Sequence, residues 1–248
     1  MNESFYIGAV GAQQQQRGLN VTSNNIANVN SYGFKAEKNR FASLLYQNLQ
    51  TADNSPCRAG SGTALWTTDT NFQTGAAAST GRSQDYMIEG DGFFALVDPA
   101  TNDVSFTRNG AFSMASLERP TGQLDENGVP ETELVYYLSD GNGRFVLGSD
   151  GDMIQMDDPN EPQDVGIFDY MNYNGMEHLD STRFAAIEKN GNLMFGSGKL
   201  VQGMLETSNV DLAEEMTKVI EAQRAYSLAL KMVTTSDEIE TAINNLRG

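Results

Sequence analysis

Both ends of the chain repeat apolar or small side chains at steps of three and four residues, without proline over 1–48 or 205–248. These steps place the side chains along one stripe of an α-helix, as in the seam of a coiled coil. The N-terminal seam consists of Phe5, Ala9, Ala12, Gln16, Leu19, Ser23 and Ile26. The C-terminal seam consists of Leu212, Met216, Val219, Gln223, Tyr226, Leu230 and Val233. The pattern therefore predicts a helix at each end.

The first helix is expected to run from Ser4 to Asn28. Asn24, Asn25 and Asn28 are predicted to end it and to satisfy backbone groups in the turn over 28–33, where Asn and Gly tolerate positive φ. A short helical or irregular stretch is expected after this turn, because the apolar residues Phe41, Leu44, Leu45 and Leu49 follow there.

The second helix is expected over 208–246. Asp211 and Glu214 have the spacing of a capping box, and the early Glu214 and Glu215 suit the helix dipole. Residues 234–237 interrupt the seam, which resumes in a shifted phase at Ile239. A stutter or a local break is therefore expected.

Each seam is thin and has one glutamine near its middle. A thin seam does not hold an isolated helix together in water, so the two helices are expected to pair antiparallel as a coiled-coil-like module. Gln16 and Gln223 would then lie at similar heights. Two arrangements stay open: the amides hydrogen-bond each other and fix the register, or both face solvent or a neighbouring subunit.

Between the helices the pattern changes to short strands and tight turns. Asp-Gly or Asn-Gly pairs, which favour type I′ hairpins, start at 91, 109, 127, 140, 150, 174 and 190. The runs at 92–97, 134–138 and 143–147 are apolar, and a further strand is expected near 64–66. The fold class is thus predicted as α+β. The domains are 1–48, an extended connector over 49–80, a mainly antiparallel β domain over 81–204, and 205–248.

The net charge of −17 is concentrated in the middle of the chain. Residues 49–204 contain eight basic and 23 acidic residues, a balance of −15. This charge disfavours nucleic acid and anionic membrane surfaces as partners. The chain has no run of 18 apolar residues, so membrane insertion is not expected. The N-terminal residues Met1 to Ser4 contain no basic segment with an apolar segment behind it, so a cleaved secretory signal is not expected either.

The residues that enzymes use are scarce. His178 and Cys57 are the single histidine and cysteine of the chain, which leaves little for a His-based metal site, a catalytic triad or an intramolecular disulfide. No enzymatic activity, metal or cofactor is expected. A structural, self-assembling role is predicted instead.

Two terminal segments resemble the signatures of bacterial flagellar rod and hook proteins. Residues 19–35, which include Asn24, Asn25, Asn28, Gly33 and Phe34, are similar to the N-terminal signature. Residues 203–216 and 222–226 are similar to the C-terminal one. The stretches at 90–94 and 106–112 resemble the start of that family's β domain, and 115–190 matches in style alone.

This resemblance implies a structural subunit that leaves the cell through the flagellar type III export apparatus without a cleaved signal. It implies a helical tube in the basal body, with the terminal helices lining the inside and contacting copies of the chain and neighbouring rod and hook proteins. The distal rod is the expected position. The alternatives are a proximal rod or hook subunit, or a secreted coiled-coil adhesion or binding module.

Overall fold

The chain begins and ends in long helices, as the seams predict. The computed structural model describes residues 3–44, 46–49, 57–60, 62–124, 130–156, 158 and 161–247. Helix α1 spans Glu3–Ala27 and helix α2 spans Leu212–Arg247. Among the described residues, no helix is apolar over a stretch long enough to cross a membrane.

Helix α2 begins at the predicted cap and continues without interruption. The Asp211 Oδ1 atom accepts hydrogen bonds from the backbone N–H groups of Ala213 and Glu214, at 2.9 and 3.3 Å. These bonds satisfy two N–H groups that the first helical turn leaves free. Of the two expectations for 234–237, the local break is wrong, because the helix continues through these residues and Ser236 is buried, and the stutter stays a prediction.

Two compact units make up the fold. The helical unit comprises Met1–Val29, Ala36–Asn71 and Val210–Gly248, and the β unit comprises Asn30–Lys35 and Phe72–Asn209. The predicted domain limits differ from this division, chiefly because 36–71 belongs to the helical unit.

The strands of the helical unit form two antiparallel pairs. They are β1 (Glu37–Ser43), β2 (Tyr46–Leu49), β3 (Cys57–Gly60) and β4 (Thr63–Thr70). Strand β1 pairs with β4, and β2 pairs with β3. The helical or irregular stretch expected near Phe41 is therefore wrong where the structure describes it. The polar strand β1 lacks the apolar alternation that marks a half-buried strand.

The strands of the β unit are short. They are β5 (Ala77–Ser79), β6 (Tyr86–Glu89), β7 (Phe93–Val97), β8 (Val104–Thr107), β9 (Ser113–Leu124), β10 (Pro130–Ser139), β11 (Phe145–Val146), β12 (Ile167–Tyr170), β13 (Glu177–His178), β14 (Arg183–Ala185), β15 (Leu193–Phe195), β16 (Lys199–Gln202) and β17 (Met204–Glu206). A 3₁₀ turn spans Glu188–Asn190.

The main sheet of the β unit is antiparallel and forked. Its strand order is β13-β14-β8-β7-β11-β10-β9, while β12 also pairs with β7 and carries β15 on its far side. Two smaller pairs join β16 to β6 and β17 to β5. The core consists mainly of aromatic and aliphatic side chains that are at most 1 % exposed: Tyr86, Ile88, Phe93, Phe94, Leu96, Phe112, Leu138, Val146 and Phe184. The predicted antiparallel β middle is confirmed.

The turns of the β unit do not have the predicted type. A type I′ turn needs positive φ at both central residues. The described residues with positive φ are glycines, such as Gly92 and Gly141, and the single non-glycine Asn102. The aspartates instead accept hydrogen bonds from following N–H groups, as Asp140 Oδ1 does from Asn142 at 2.8 Å. The Asn-Gly pair at 127–128 lies outside the described residues.

A buried charge cluster ties distant segments of the β unit together. The Glu206 carboxylate lies 2.6 Å from Lys35 Nζ and 3.2 Å from the Arg108 guanidinium, and all three side chains are almost fully buried. Glu206 Oε1 also accepts a hydrogen bond from the Gly75 backbone N–H at 2.7 Å. Burial lowers the pKa of Lys35 below its ordinary value, although the negative charge of Glu206 acts to raise this pKa. One carboxylate thus compensates two buried cations.

Candidate assembly interface

Helices α1 and α2 approach each other closely through small residues. A Cβ atom on Gly8 would lie 3.0 Å from Val233 Cγ2 and 3.1 Å from the Ala229 carbonyl oxygen. On Gly11 it would lie 3.9 Å from Ala229 Cβ. Glycine at position 8 therefore lets α1 lie almost directly against the backbone of α2.

A buried asparagine joins the helices at the other end of the contact. Asn25 Nδ2 donates to Glu215 Oε2 at 3.2 Å and to the Glu37 carbonyl oxygen at 2.8 Å. The Glu37 N–H donates back to Asn25 Oδ1 at 2.9 Å. Gly8 thus lies opposite the later part of α2 and Asn25 opposite its start, so the helices run antiparallel, as predicted.

A lysine forms ion pairs with two glutamates of the first turn of α2. Lys218 Nζ lies 2.8 Å from Glu214 Oε1 and 2.7 Å from Glu215 Oε1. Burial alone would lower the pKa of Lys218, but hydrogen bonds from the ammonium to both carboxylates raise this pKa above its ordinary value. The same contact holds the pKa of Glu214 below its usual range. The Glu215 carboxylate that contacts Asn25 is thereby charge-balanced within its own helix.

The buried stripes overlap the predicted seams only at Ala12, Val219 and Val233 and otherwise lie beside them. The buried or half-buried residues at helical spacing on α1 are Gly8, Ala12, Gln15, Gly18, Thr22 and Asn25. On α2 they are Glu215, Val219, Ala222, Ala225, Ala229, Val233 and Ser236. Part of the α1 stripe faces strand β1, since a Cβ on Gly18 would lie 3.1 Å from Phe41 Cζ. Small and polar residues therefore make the contacts within the helical unit.

Most of the predicted seam residues face outward. The exposed ones are Phe5, Ala9, Gln16, Ser23, Leu212, Met216, Gln223, Tyr226 and Leu230. The half-buried ones are Leu19, Ile26, Val219 and Val233, and Ala12 is buried. The two helices thus meet along small residues and leave the large apolar side chains of the seams on the outside of the pair.

Gln16 and Gln223 lie at the same height, as the antiparallel arrangement predicts. Together with Leu19 and Tyr226 they line a hollow of about 240 Å³ between the helices. Both glutamines are exposed, and no hydrogen bond joins their amides among the described residues. Of the two arrangements left open, the one in which both face outward is present.

Several exposed apolar residues were missed by the seam pattern. They are Tyr6, Ile220 and Met232, each next to a seam residue, and Leu228, which lies two residues from both Tyr226 and Leu230. Ile239, Ile243 and Leu246 are also exposed. Gly8 faces 229–233. Because both helices rise by the same length per residue and run antiparallel, the start of α1 at Glu3 lies at the height of about residue 237, and the later residues of α2 extend past it. The end of α2 accordingly has no intramolecular partner in α1.

The predicted turn residues fall into both units. Directly after α1, the Asn28 side chain donates to the Asn24 carbonyl oxygen at 3.0 Å and to Asn24 Oδ1 at 3.1 Å. In the β unit, Gly33 has φ +69°, and a Cβ there would lie 2.3 Å from the Asn109 backbone nitrogen. Phe34 is buried. Glycine is therefore required at position 33 by both conformation and space.

The described residues offer little for chemistry. No group of three or more His, Cys, Asp or Glu side chains among them is placed to hold a metal ion. The His178 ring packs edge-on against Phe184, with 4.7 Å between the ring centroids. The arrangement that dominates the helical unit is an apolar surface, which can bind other protein surfaces.

The ends of the chain match two family models. Residues 5–35 match the model described as flagella basal body rod protein. Residues 201–246 match the model described as flagellar basal body rod FlgEFG protein C-terminal. These matches cover α1 with the turn that follows it, and α2 with the strands that precede it.

Relatives match over the whole chain. The flagellar basal-body rod protein FlgG of Bacillus subtilis is 32% identical over 100% of this chain and 100% of its own length. FlgG of Buchnera aphidicola subsp. Baizongia pistaciae is 31% identical over 96% and 97%, and FlgG of Borreliella burgdorferi is 30% identical over 100% and 99%. Each of these relatives is named as a flagellar basal-body rod protein. The chain therefore belongs to the flagellar basal-body rod protein family.

Proposed function

We propose that this rod subunit occupies the distal rod and polymerises through the outer faces of α1 and α2. Copies stack into a helical tube that encloses the export channel and transmits torque to the hook. The observation that carries this proposal is the exposure of large apolar side chains along both helices, above all on α2. Large apolar side chains left exposed along two helices mark a protein contact site.

The energetics favour assembly over an isolated helix pair. Within one chain the helices bury mostly glycine, alanine and polar side chains against each other. Burying a large apolar side chain such as Met216 or Leu230 contributes about 1.5–3 kcal/mol before entropic costs. Contacts that do not close on themselves build an open helical polymer.

In the assembled tube the two predicted seams form a coiled-coil-like layer with neighbouring copies. The interface residues are Phe5, Ala9, Gln16, Leu19, Ile26, Leu212, Met216, Val219, Gln223, Tyr226, Leu230 and Val233, with Ala12 supporting them from inside the pair. Gln16 and Gln223 border one hollow and are free to bond a neighbour's polar groups. Residues 1–48 and 205–248 form the assembly module and 81–204 the outer domain, joined through 49–80.

The partners follow from this role. They are further copies of the chain, the neighbouring rod and hook proteins, and the flagellar export apparatus that delivers the subunit to the basal body. The acidity of the middle of the chain supports a solvated outer surface and argues against nucleic acid or an anionic bilayer as a partner. The role requires neither a cofactor nor membrane insertion.

The test replaces two exposed residues of α2 with charges. Met216→Asp with Leu230→Asp removes about 1.5–3 kcal/mol of apolar burial per site, so the concentration needed for assembly rises at least tenfold. Sedimentation of the full-length chain measures this concentration. Motility of a strain that carries the variant in place of the wild type measures the consequence, and loss of swimming is expected.

Val104→Asp is the matched control, because Val104 is exposed to a similar degree (43%, against 51% for Met216 and 41% for Leu230) but lies in the β unit. It is expected to assemble and to support swimming. Normal rods built from the Met216→Asp, Leu230→Asp variant would exclude the outer helix faces as the assembly surface.

A further inference from the structure

An apolar edge strand stands out on the β unit. Strand β15 pairs with β12 and, among the described strands, with no other. Its residues Leu193, Met194 and Phe195 are 46, 43 and 73% exposed, and the neighbouring Met171 is 84% exposed. A free, apolar strand edge is a ready site for pairing with another chain. We call Met171 and β15, with the lysines described next, the β15 edge patch.

Two lysines that have no ion-pair partner among the described residues flank this strand. Lys189 precedes β15 by four residues and Lys199 follows it by four, and both are exposed. The other Lys and Arg side chains that the structure describes in the β unit form ion pairs: Lys35, Arg82, Arg108, Arg144 and Arg183. Lys199 lies opposite Glu89 in the β6–β16 register, but no ion pair joins them among the described residues, so the β15 edge patch is one place in the acidic 49–204 stretch that attracts an acidic partner.

A complementary surface lies at the end of the other branch of the sheet. Strand β9 pairs with β10, and Glu118 lies opposite Leu134 in the register, with Ser116 opposite Tyr136. Directly opposed residues share one face of an antiparallel pair. This face carries the exposed side chains of Met114, Glu118, Leu134 and Tyr136, and we call it the β9–β10 face.

We propose that the β15 edge patch of one copy docks on the β9–β10 face of the next copy in the rod, an inference that rests on the proposed function. The apolar side chains cover each other, and Lys189 and Lys199 lie against Glu118. Both surfaces are exposed in the single chain, so neither covers the other intramolecularly. The contact joins two different surfaces and thus propagates, as a helical rod requires.

Charge complementarity favours a second copy of the chain as the partner of the β15 edge patch. Two β units, each with eight basic and 22 acidic residues, repel each other wherever acidic surfaces meet. The contact at the β15 edge patch instead joins the two flanking lysines of one copy to the carboxylate of the other. Both halves of the contact, apolar and charged, are present on the same chain.

Disulfide crosslinking tests the docking in assembled rods. In a Cys57→Ser background, Glu118→Cys is combined with Lys189→Cys in one variant and with Lys199→Cys in a second. Oxidation of rods isolated from swimming cells is expected to give a ladder of covalent multimers in at least one of the two variants. Glu118→Cys combined with Asp103→Cys, at an exposed turn, is the matched control and is expected to give none.

The outcomes separate this inference from the proposed function. Rods that form normally but give no ladder in either variant, give it equally in the control, or crosslink to a different protein overturn the docking and leave the rod assignment intact. A Cys57→Ser parent chain that is absent from isolated rods overturns the proposed function itself. As a second measure, Lys199→Glu is expected to weaken self-association about tenfold, and Glu118→Lys in the same chain to restore it.

Discussion

At the scale of single residues, Glu206 has the clearest energetic role. Its carboxylate is the counter-charge of two buried cations, Lys35 and Arg108. Glu206→Gln keeps the shape but leaves both cations without a charged partner, which costs about 3–5 kcal/mol of stability. Urea unfolding of the full-length chain, followed by near-ultraviolet circular dichroism from the aromatic core, should show a clearly lower midpoint.

The control for this substitution is Glu161→Gln, an exposed glutamate of the same unit. Its effect is expected to stay within about 0.5 kcal/mol, as for most surface changes. Equal midpoints for the two variants would show that Glu206 does not stabilise the buried cations. No sequence pattern points to this cluster, because its members are at positions 35, 108 and 206 and meet only after the chain has folded.

At the scale of elements, replacing either of two glycines of α1 by alanine is expected to have opposite effects on the stability of the helix pair. A Cβ on Gly8 meets Val233 and the Ala229 backbone at 3.0–3.1 Å, whereas on Gly11 the nearest contact is an ordinary 3.9 Å. Gly8→Ala is expected to cost about 1–3 kcal/mol of helix pairing through overpacking. Gly11→Ala should strengthen α1 by up to about 1 kcal/mol, the difference in helix propensity.

The thermal disassembly of rods built from each variant distinguishes these effects. Rods of Gly8→Ala should dissociate at a lower temperature than wild-type rods, and rods of Gly11→Ala at the same or a higher one. If both variants shifted the temperature in the same direction, close helix contact at Gly8 would not be what limits pairing.

Apolar periodicity located both helices but misplaced the face on which they meet. The seam pattern is recognised mainly from large side chains such as Phe5 and Leu230. The contact within the pair is made by small residues such as Gly8 and Ala229, which lie between the seam positions. Close approach of the two helix backbones favours small residues at the contact. The large apolar residues stay on the outside of the helix pair, where they are available to other chains, and a single sequence does not show those chains. Periodicity therefore predicted the elements and their antiparallel direction, not the contact.

The strands were predictable where they are buried on a sheet face. The apolar runs at 92–97 and 134–138 correspond to the core strands β7 and β10. Strand β1, with the sequence EKNRFAS, was missed because it forms a two-stranded ribbon whose side chains are largely polar. The turn type was missed because Asp and Asn side chains can close a turn through their own oxygens without adopting positive φ.

At the scale of the whole molecule, the two units differ in what stabilises them, and this difference predicts a response to concentration. The β unit has an aromatic core and a buried charge cluster, both complete within one chain. The helical pair buries small side chains and exposes large ones, which leaves it dependent on neighbouring copies. Diluted subunits should therefore keep the β unit folded while α1 and α2 lose much of their helical structure.

Hydrogen exchange at two concentrations measures this response. In dilute chains the amides of 212–247 should exchange much faster than those of 93–97, and assembly should slow the exchange of the helices by at least about a hundredfold. The helical ellipticity at 222 nm should rise over the same range of concentration. Helix amides that are as protected in dilute monomers as those of β7 would show instead that the pair is stable alone, and that assembly joins helices that are already formed.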